Sequence, residues 1–553
     1  MTKTKAADAF LACLKTEGVK YIFGNPGSTE APILDALVQD RDVAYLITLH
    51  ESVAVGMADG YARGGGALGV VNVHTGAGTA NALGAIYNAS IEKSPILVAA
   101  GSKDTRLLGR NCFSEVTDLP GMARQFTKWS RQVTCADRVP EELSRGIKIA
   151  TTAPQGPVFL SFPEDLLAEE IDSGAAMSLR LASPLIPQPD ETLVRKAARL
   201  LMDAKAPLMI AGTEVARANA LGDAVRLAEL LGLPVMTEGR ESLATLNFPH
   251  SHPSFRGMFD PDSPLVKNAD VILGIGCKLL VETAYSPKPD IPPGAAILHF
   301  HSDPHELAKI YPEAVSVLGD AGKSITALIN ACTPLLTERL QKAIRERIGR
   351  LRAEKEALDA ARNKSTEDAW DKTPISLPRL FGEMNRCLAR DTIIADEAIR
   401  SSRALYRFYH FDIPGTYQRS SAGVLGWGLP AAMGLKLANP DRQVVAVVGD
   451  GGFLFTVQGL WTAARYAIPV VVIICNNRQY RAVRDACIRY DGIAARCGSF
   501  VGTDMNDPEV EFSQLAAGFG VWAKKITAPE AIGPALTEAL SLGKPAVLDV
   551  RIA

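Results

Sequence analysis

QVVAVVGDGGFLFTVQGLWTAARYAIPVVVIICNN (443–477) combines two apolar runs with a helical stretch between them. The runs VVAVV (444–448) and PVVVIIC (469–475) have the length and β-branched composition of buried strands. The residues between them fit a crossover helix, so the stretch predicts two parallel strands of one sheet. Asp450 follows the first strand and Asn477 follows the second. The two side chains should therefore converge at the carboxyl edge of the sheet, where α/β folds bind ligands.

This pair of side chains predicts a metal–diphosphate site. Carboxylate and amide oxygens suit Mg²⁺ or Ca²⁺, especially an ion that also contacts a phosphate. Gly449, Gly451 and Gly452 let the backbone approach such a phosphate and leave its N–H groups free. The alternative, which GDG alone would favour, is a strand–turn–helix with a turn aspartate and an asparagine cap. The stretch lacks the GxGxxG fingerprint, so a nicotinamide site is not expected here.

Short apolar runs alternate with helical stretches over most of the chain. This alternation predicts an α/β protein with three doubly wound parallel-sheet domains. The expected domains are 1–182, 190–335 and 375–553. A charge-dense segment, 336–374, is expected to be a solvated helical linker.

The composition excludes several classes of protein. The 553 residues are 47% apolar and 22% charged, which is typical of a globular chain. The net charge of −2 leaves no electrostatic footprint for nucleic acid or an anionic membrane. No stretch reaches the ~18 uninterrupted apolar residues that a membrane span needs. The nine cysteines form no CxxC pair and no Cys/His metal spacing, which favours reduced thiols and a cytoplasmic location.

Further blocks of sequence carry a family resemblance. They are FGNPGSTE (23–30), HESVAVGMADGYA (50–62), the stretch 74–81, APQGPVFLS (153–161) and LGWGLPAAMG (425–434). Together with the GDG stretch they resemble the thiamine diphosphate (ThDP)-dependent 2-oxo acid decarboxylase and acetolactate synthase superfamily, over nearly the whole chain. Within that superfamily they are most similar to benzoylformate decarboxylases. The resemblance implies a pyrimidine-binding domain, a middle domain and a diphosphate-binding domain, in that order.

The resemblance implies that ThDP and Mg²⁺ (or Ca²⁺) are the cofactors. The metal ligands would be Asp450, Asn477 and the main-chain oxygen of Gln479. Gly423 would offer its carbonyl to the aminopyrimidine ring, and Leu425 would be the apolar side chain that bends the cofactor. The other cofactor-binding candidates are Glu51, Asn81, Gly449, Gly451, Gly452 and Tyr480.

Glu51 is the first catalytic residue that the resemblance implies. Its carboxylate would hydrogen-bond the aminopyrimidine and favour the imino tautomer, so that the bent cofactor serves as its own base. Leu49, Val53 and Val55 predict a partly apolar setting for this proton sharing. Taken alone, a glutamate in the first turn of a helix is also explained by the helix dipole.

Ser28 and His74 match the active-site serine and one of the two active-site histidines of benzoylformate decarboxylases. His74 follows a strand and precedes an expected Gly-rich turn (74–79), where an imidazole can exchange protons with a bound intermediate. The alternative is a loop histidine bonded to the backbone. For Ser28 the alternative is a cap on the next helix.

The implied reaction is ThDP- and Mg-dependent, non-oxidative decarboxylation of a small 2-oxo acid through an enamine. The alternative is acetolactate synthase-like transfer of the same acyl-anion equivalent to a second carbonyl compound. A binding protein that keeps only the fold is disfavoured, because Glu51, Asp450 and Asn477 are all present. The resemblance also implies a homodimer or homotetramer, with Glu51 and Asp450 meeting at a subunit interface.

The segment 274–287 departs from the benzoylformate decarboxylase pattern. Glu282 or Thr283 stands where those enzymes have their second active-site histidine. The segment also lacks the arginine- and aspartate-rich sequence of acetolactate synthases that carry a flavin, so FAD is not expected.

Two other segments leave alternatives. EAIRSSRAL (397–405) has Ile399 and Arg400 where small hydroxyls would bind the diphosphate. Arg400 is expected either to pair with a phosphate or to lie at the surface. HFHSDPHE (299–306) holds three histidines, for which we favour a structural role over a metal site.

Overall fold

The computed structural model describes residues 3–66, 68–172, 185–239, 241–282 and 289–553. These residues contain three six-stranded sheets, and every strand pairing within them is parallel. The predicted fold class is therefore confirmed. Helices cover both faces of each sheet, so the central strands are buried and read as continuous apolar runs.

The first sheet has the strand order β3-β2-β4-β5-β7-β6, and β1 and β8 form a separate antiparallel pair. Its strands are β1 (Lys3–Lys5), β2 (Tyr21–Asn25), β3 (Ala44–Ile47), β4 (Gly69–His74), β5 (Ile96–Ser102), β6 (Trp129–Gln132), β7 (Val158–Pro163) and β8 (Glu170–Asp172). Its helices are α1 (Ala6–Thr16), α2 (Ala31–Gln39), α3 (Glu51–Arg63), α4 (Thr75–Ile91), α5 (Leu119–Ala123), α6 (Val139–Thr151) and α7 (Glu164–Ala168).

The second sheet has the order β11-β10-β9-β12-β13-β14. Its strands are β9 (Pro207–Ala211), β10 (Val235–Thr237), β11 (Phe255–Met258), β12 (Val271–Ile275), β13 (Ala296–His301) and β14 (Val315–Leu318). Its helices are α8 (Glu191–Asp203), α9 (Thr213–Arg217), α10 (Leu221–Leu231), α11 (Pro264–Lys267) and α12 (Ala321–Cys332). The long helix α13 (Glu338–Glu367) follows in the charge-dense segment and buries few of its side chains.

The third sheet has the order β16-β15-β17-β18-β20-β19. Its strands are β15 (Ile393–Glu397), β16 (Tyr417–Arg419), β17 (Val444–Gly449), β18 (Val471–Asn476), β19 (Trp522–Ile526) and β20 (Ala546–Arg551). Its helices are α14 (Leu377–Cys387), α15 (Ser402–Phe408), α16 (Gly428–Ala438), α17 (Asp450–Leu454), α18 (Gly459–Arg465), α19 (Arg481–Tyr490), α20 (Ile493–Cys497), α21 (Phe512–Gly518) and α22 (Ile532–Ser541).

Helices α3 and α16 join the first and third domains. They share one hydrophobic cluster, to which α3 contributes Met57 and α16 contributes Met433. Trp427, directly before α16, donates its indole N–H to Asp59 of α3 at 2.6 Å. This contact fixes the segment before α16 against the first domain.

The expected Gly-rich turn at 74–79 is wrong, because helix α4 already begins at Thr75. The chain passes from strand to helix at Thr75 itself, which has a φ of +42°. Gly76 lies inside the helix, where an added Cβ would be 2.2 Å from a side-chain carbon of Val116. The glycine therefore serves close packing rather than a turn, a distinction that composition alone does not make.

Within the described ranges, no helix is long and apolar enough to cross a membrane.

Candidate active site

Asp450 lies at the carboxyl end of β17 and is 4% exposed. Its Oδ1 accepts the N–H of Gly451 at 2.9 Å, and its Oδ2 accepts the N–H of Arg478 at 2.6 Å. Burial raises the pKa of this carboxyl, and the backbone N–H groups oppose that shift. The structure thus brings Asp450 to the loop after β18, as the parallel pairing of β17 with β18 requires.

The loop after β18 supplies the other two predicted ligands. Asn477 Oδ1 accepts the N–H of Gln479 at 3.0 Å, and the main-chain oxygen of Gln479 accepts the N–H of Arg481 at 2.9 Å. Arg478, between them, has a φ of +59°, a conformation that a non-glycine residue rarely adopts. Backbone strain of this kind is concentrated at functional sites.

These oxygens fit a hard divalent cation that shares a diphosphate. One carboxylate, one amide oxygen and one main-chain carbonyl leave coordination positions for phosphate oxygens and water, as Mg²⁺ prefers. Among the described residues no cluster of three or more His, Cys, Asp or Glu side chains is placed to hold a metal by itself.

The glycines of the GDGG turn lie under larger side chains. A Cβ on Gly451 would be 2.5 Å from the ring of Tyr480. A Cβ on Gly452 would be 2.9 Å from Glu397 Oε1 and 3.8 Å from Leu425 Cδ2. Glycine at these positions thus lets Tyr480, Glu397 and Leu425 approach the turn closely. Gly449 is extended and ends the strand.

Glu397 is a site residue that the sequence analysis missed. It ends β15, is 2% exposed, and accepts the N–H groups of Gly426 and Gly428 at 2.5 Å each. Burial raises its pKa to about 7. The signal that could have found it is DTIIADE (391–397), in which an acid ends a buried apolar strand.

The segment from Gly423 to Gly428, which we call the 423–428 loop, carries two predicted cofactor contacts. Gly423 has a φ of +75° and Gly426 a φ of +90°, which side-chain-bearing residues avoid. Leu425 lies between them, with its side chain toward the GDGG turn. Thr456 Oγ1 donates to the carbonyl oxygen of Gly426 at 2.9 Å, which gives the loop a second attachment.

Glu51 begins α3 and is 5% exposed. Asn25 donates its amide N–H to Glu51 Oε1 at 3.1 Å, and Asn81 donates to Oε2 at 3.0 Å. Of the three expected apolar neighbours, Val53 and Val55 are fully buried and Leu49 is 42% exposed in the single chain. Two amides, brought together from β2 and α4, hold the carboxylate.

His74 ends β4, and its imidazole contacts a carboxylate that the sequence analysis did not identify. Its Nδ1–H donates to Glu30 Oε2 at 3.0 Å, and Thr29 Oγ1 donates to Glu30 Oε1 at 2.9 Å. Glu30 is fully buried. A carboxylate at Nδ1 favours the tautomer with the proton on Nδ1, in which Nε2 is the basic nitrogen. Ser28 is exposed in the 3₁₀ turn, and the cap position of α2 is occupied by Glu30, so the capping alternative for Ser28 is wrong.

The structure places the segments that depart from the family pattern, and the three-histidine segment, in different surroundings. Arg400 donates to Asp485 of α19 at 2.6 Å and is about half exposed. Glu282 is exposed, and Thr283 lies outside the described residues. Both ring nitrogens of His299 are engaged, with Glu313 at 2.7 Å and with the carbonyl of Cys277 at 2.9 Å, which fits the structural role.

Comparison with known proteins agrees with this geometry. The chain matches the thiamine pyrophosphate enzymes in three parts: the N-terminal TPP binding domain over residues 4–122, the central domain over 194–328 and the C-terminal TPP binding domain over 400–550. The chain therefore belongs to the family of thiamine pyrophosphate enzymes, and it is an enzyme of their decarboxylase and carboligase group.

Individual relatives are similar over their full length. Benzoylformate decarboxylase of Pseudomonas aeruginosa is 32% identical, covering 97% of each chain. A probable acetolactate synthase large subunit of Methanocaldococcus jannaschii is 31% identical, over 99% of this chain and 92% of the relative. Among solved structures, the ThDP-dependent 4-hydroxybenzoylformate decarboxylase of Rhodococcus jostii RHA1 is 29% identical, covers 99% of both chains and gives a TM-score of 0.86.

Proposed function

We propose that the protein is a ThDP- and Mg²⁺-dependent decarboxylase that converts a 2-oxo acid to an aldehyde without oxidation. Bound ThDP would accept the electron pair that the broken carbon–carbon bond leaves behind when CO₂ departs. The observation that carries the proposal is the pairing of His74 with buried Glu30 at the end of the sheet where Asn25 and Asn81 hold Glu51. The similarity to two decarboxylases supports the same reaction.

In this proposal the cofactor is held by Asp450, Asn477 and the main-chain oxygen of Gln479 through the metal. Glu51 holds a proton toward the aminopyrimidine ring, and its two amide donors keep the carboxylate in one orientation. His74 ends β4 and Glu51 begins α3 after β3, and both strands run parallel to β2 in one sheet. Nε2 of His74 thereby comes to the same end of the sheet as Glu51, where it can deliver the proton that completes the aldehyde.

Carboligation is the second candidate. The acetolactate synthase relative favours it, and so does the exposed Glu282 where a second proton-donating histidine was expected. Among the described residues His74 is the one imidazole that we place at the site, so protonation competes less effectively with attack on a second carbonyl compound. We favour the decarboxylase because the Glu30 contact prepares His74 for proton transfer.

We further propose that the enzyme is a homodimer or homotetramer and that the middle domain binds no flavin. The segment after the proposed metal ligands supports the assembly, because Tyr490, Ile493 and Val501 are each more than 80% exposed there, as expected of a surface that a second copy covers.

Glu238 supports the proposal that the middle domain binds no flavin. Its carboxylate already accepts the N–H groups of Thr213 and Lys278 at the strand ends where a nucleotide phosphate would bind.

The reaction is tested with a panel of aliphatic and aromatic 2-oxo acids, assayed with ThDP and Mg²⁺ for CO₂ release and for aldehyde against 2-hydroxyketone products. We expect aldehyde from at least one acid, and a loss of about 10²-fold or more in kcat for Glu51→Gln, because a neutral amide cannot exchange the proton. Calorimetry should show that this variant still binds ThDP. Hydroxyketone as the main product would replace the decarboxylase with the carboligase, and undiminished turnover in Glu51→Gln would contradict the role of Glu51.

A further inference from the structure

Glu397 and the 423–428 loop form a buried contact that none of the expected cofactor ligands explains. The carboxylate sits between the loop and the GDGG turn, with one oxygen on the N–H of Gly426 and the other on the N–H of Gly428. These two N–H groups flank Trp427, which is itself held by Asp59. The loop is therefore fixed at its carboxyl end from two sides.

The remainder of the loop has fewer attachments. Gly423 adopts a positive φ, and no heavy atom lies within 4 Å of a Cβ built on it. Gly426 also has a positive φ. Such a glycine-rich segment has many accessible conformations unless contacts restrict it. The residues directly after Leu425 are held by the two Glu397 contacts, together with Thr456 on the carbonyl of Gly426 and Asp59 on Trp427.

We propose that Glu397 is a positioning residue that orders the 423–428 loop before the cofactor arrives, so that the carbonyl of Gly423 and the side chain of Leu425 are already in place. The proposal rests on the proposed ThDP-dependent function. A protein whose binding-competent conformation is only partly populated binds its ligand more weakly by that fraction. Loosening the loop should therefore weaken ThDP binding and spare the chemistry of the loaded enzyme.

The Glu397→Gln variant tests the proposed positioning role of Glu397. A carboxylate offers an acceptor to each N–H, whereas an amide offers one oxygen and turns its NH₂ group toward the other N–H. One buried backbone donor is then left without an acceptor, unless the loop moves. Glu397→Gln keeps the volume of the side chain, so no cavity is created.

Glu238 provides a matched control in the middle domain. It follows β10 as Glu397 ends β15, it is also 2% exposed, and its two oxygens also accept separate backbone N–H groups, those of Thr213 and Lys278. Glu238→Gln therefore removes the same kind of hydrogen bond at a comparable cost to the fold, away from the 423–428 loop.

The measurement is the dissociation constant of ThDP in the presence of Mg²⁺, by calorimetry on the full-length protein, with kcat at saturating ThDP as a second readout. We expect Glu397→Gln to weaken ThDP binding on the order of tenfold, the effect of one unsatisfied buried donor. Turnover at saturating ThDP should recover to within about twofold of the wild type, since bound cofactor selects the ordered loop. Glu238→Gln should bind ThDP within about twofold of the wild type.

Thr456→Val is the milder variant, because it removes only the hydrogen bond to the carbonyl of Gly426. It should weaken ThDP binding in the same direction by a smaller factor, about threefold. If Glu397→Gln does not fold, Thr456→Val becomes the test, and an unchanged affinity of Thr456→Val for ThDP overturns the proposal. Wild-type affinity in a folded Glu397→Gln, or equal weakening in Glu238→Gln, also overturns it. Absence of ThDP binding by the wild-type protein would instead refute the proposed function.

Discussion

The second and third domains have the same architecture but use the carboxyl ends of their strands differently. Each has a six-stranded parallel sheet with a buried glutamate at the end of the strand second from one edge, Glu238 after β10 and Glu397 in β15. Glu238 reaches across the next two strand ends and accepts their N–H groups. Glu397 instead turns to the 423–428 loop.

This difference bears on which sheet we propose to hold an anionic ligand. In the middle domain a side-chain carboxylate occupies the backbone donors at the centre of the sheet, so they are already satisfied. In the C-terminal domain the corresponding strand ends carry Asp450 and Asn477, the proposed metal ligands, whose oxygens accept N–H groups of their own turn and of the loop after β18 and keep lone pairs for a metal. The two sheets thus differ in the direction of one glutamate side chain, Glu238 toward neighbouring strand ends and Glu397 toward the 423–428 loop.

The largest expected effect comes from Asp450→Ala. This change removes the only carboxylate among the proposed metal ligands, and calorimetry should show ThDP binding in the presence of Mg²⁺ weakened by at least 10²-fold. Glu238→Gln, at the matching edge of the middle sheet, should bind ThDP normally. Equal weakening in both variants would remove the distinction between the two sheets.

The same variant tests the subunit arrangement. Asp450→Ala and Glu51→Gln chains, co-expressed with different tags and purified as mixed dimers, should regain about half of the wild-type activity per dimer if each site combines two subunits. A mixed dimer as inactive as either parent would show that Glu51 and Asp450 serve the same site from one chain.

A smaller effect is expected from Glu30→Gln. Loss of the carboxylate at Nδ1 of His74 should lower kcat on the order of tenfold with little change in KM, because orientation and proton transfer are impaired rather than binding. The middle domain offers a matched pair, His299 with Glu313 at 2.7 Å. Glu313→Gln should leave kcat unchanged. A rise in KM without a fall in kcat would contradict the role given to Glu30.

The smallest effect concerns stability against pH at Glu238, whose pKa burial raises to about 7 from a usual value of 4.5. Between these values the folded protein keeps a proton that the unfolded chain releases, so stability falls as pH rises through this window, by up to about 3 kcal/mol. The melting temperature of the wild type relative to Glu238→Gln should therefore fall by several degrees between pH 5 and pH 8. Parallel pH profiles for the two proteins would show that Glu238 does not titrate in this range.

The sequence predicted most of the fold because its signal is local. Apolar runs such as 444–448 and 469–475 have the length and composition of buried parallel strands, and the structure shows β17 and β18 there. The Gly-rich stretch at 74–79 was misinterpreted because glycine marks both turns and close packing, and only the neighbouring Val116 distinguishes them.

The sequence predicted some residues of the candidate site and missed others, for a physical reason. Residues in contiguous motifs, such as Asp450 with Asn477, are positioned by strand pairing that the chain order already implies. Glu30, Asn25 and Glu397 act through contacts with residues that are distant in sequence or on other elements, and no spacing rule identifies such partners.

By itself the sequence determined the α/β class and the strand-end positions of Asp450 and Asn477, because strand length and composition are properties of short segments. Only the tertiary structure decided the hydrogen-bond partners of the buried carboxylates. Those partners depend on which strand ends and loops meet when the sheet closes against its helices, and a buried carboxylate must accept whatever N–H groups that packing provides.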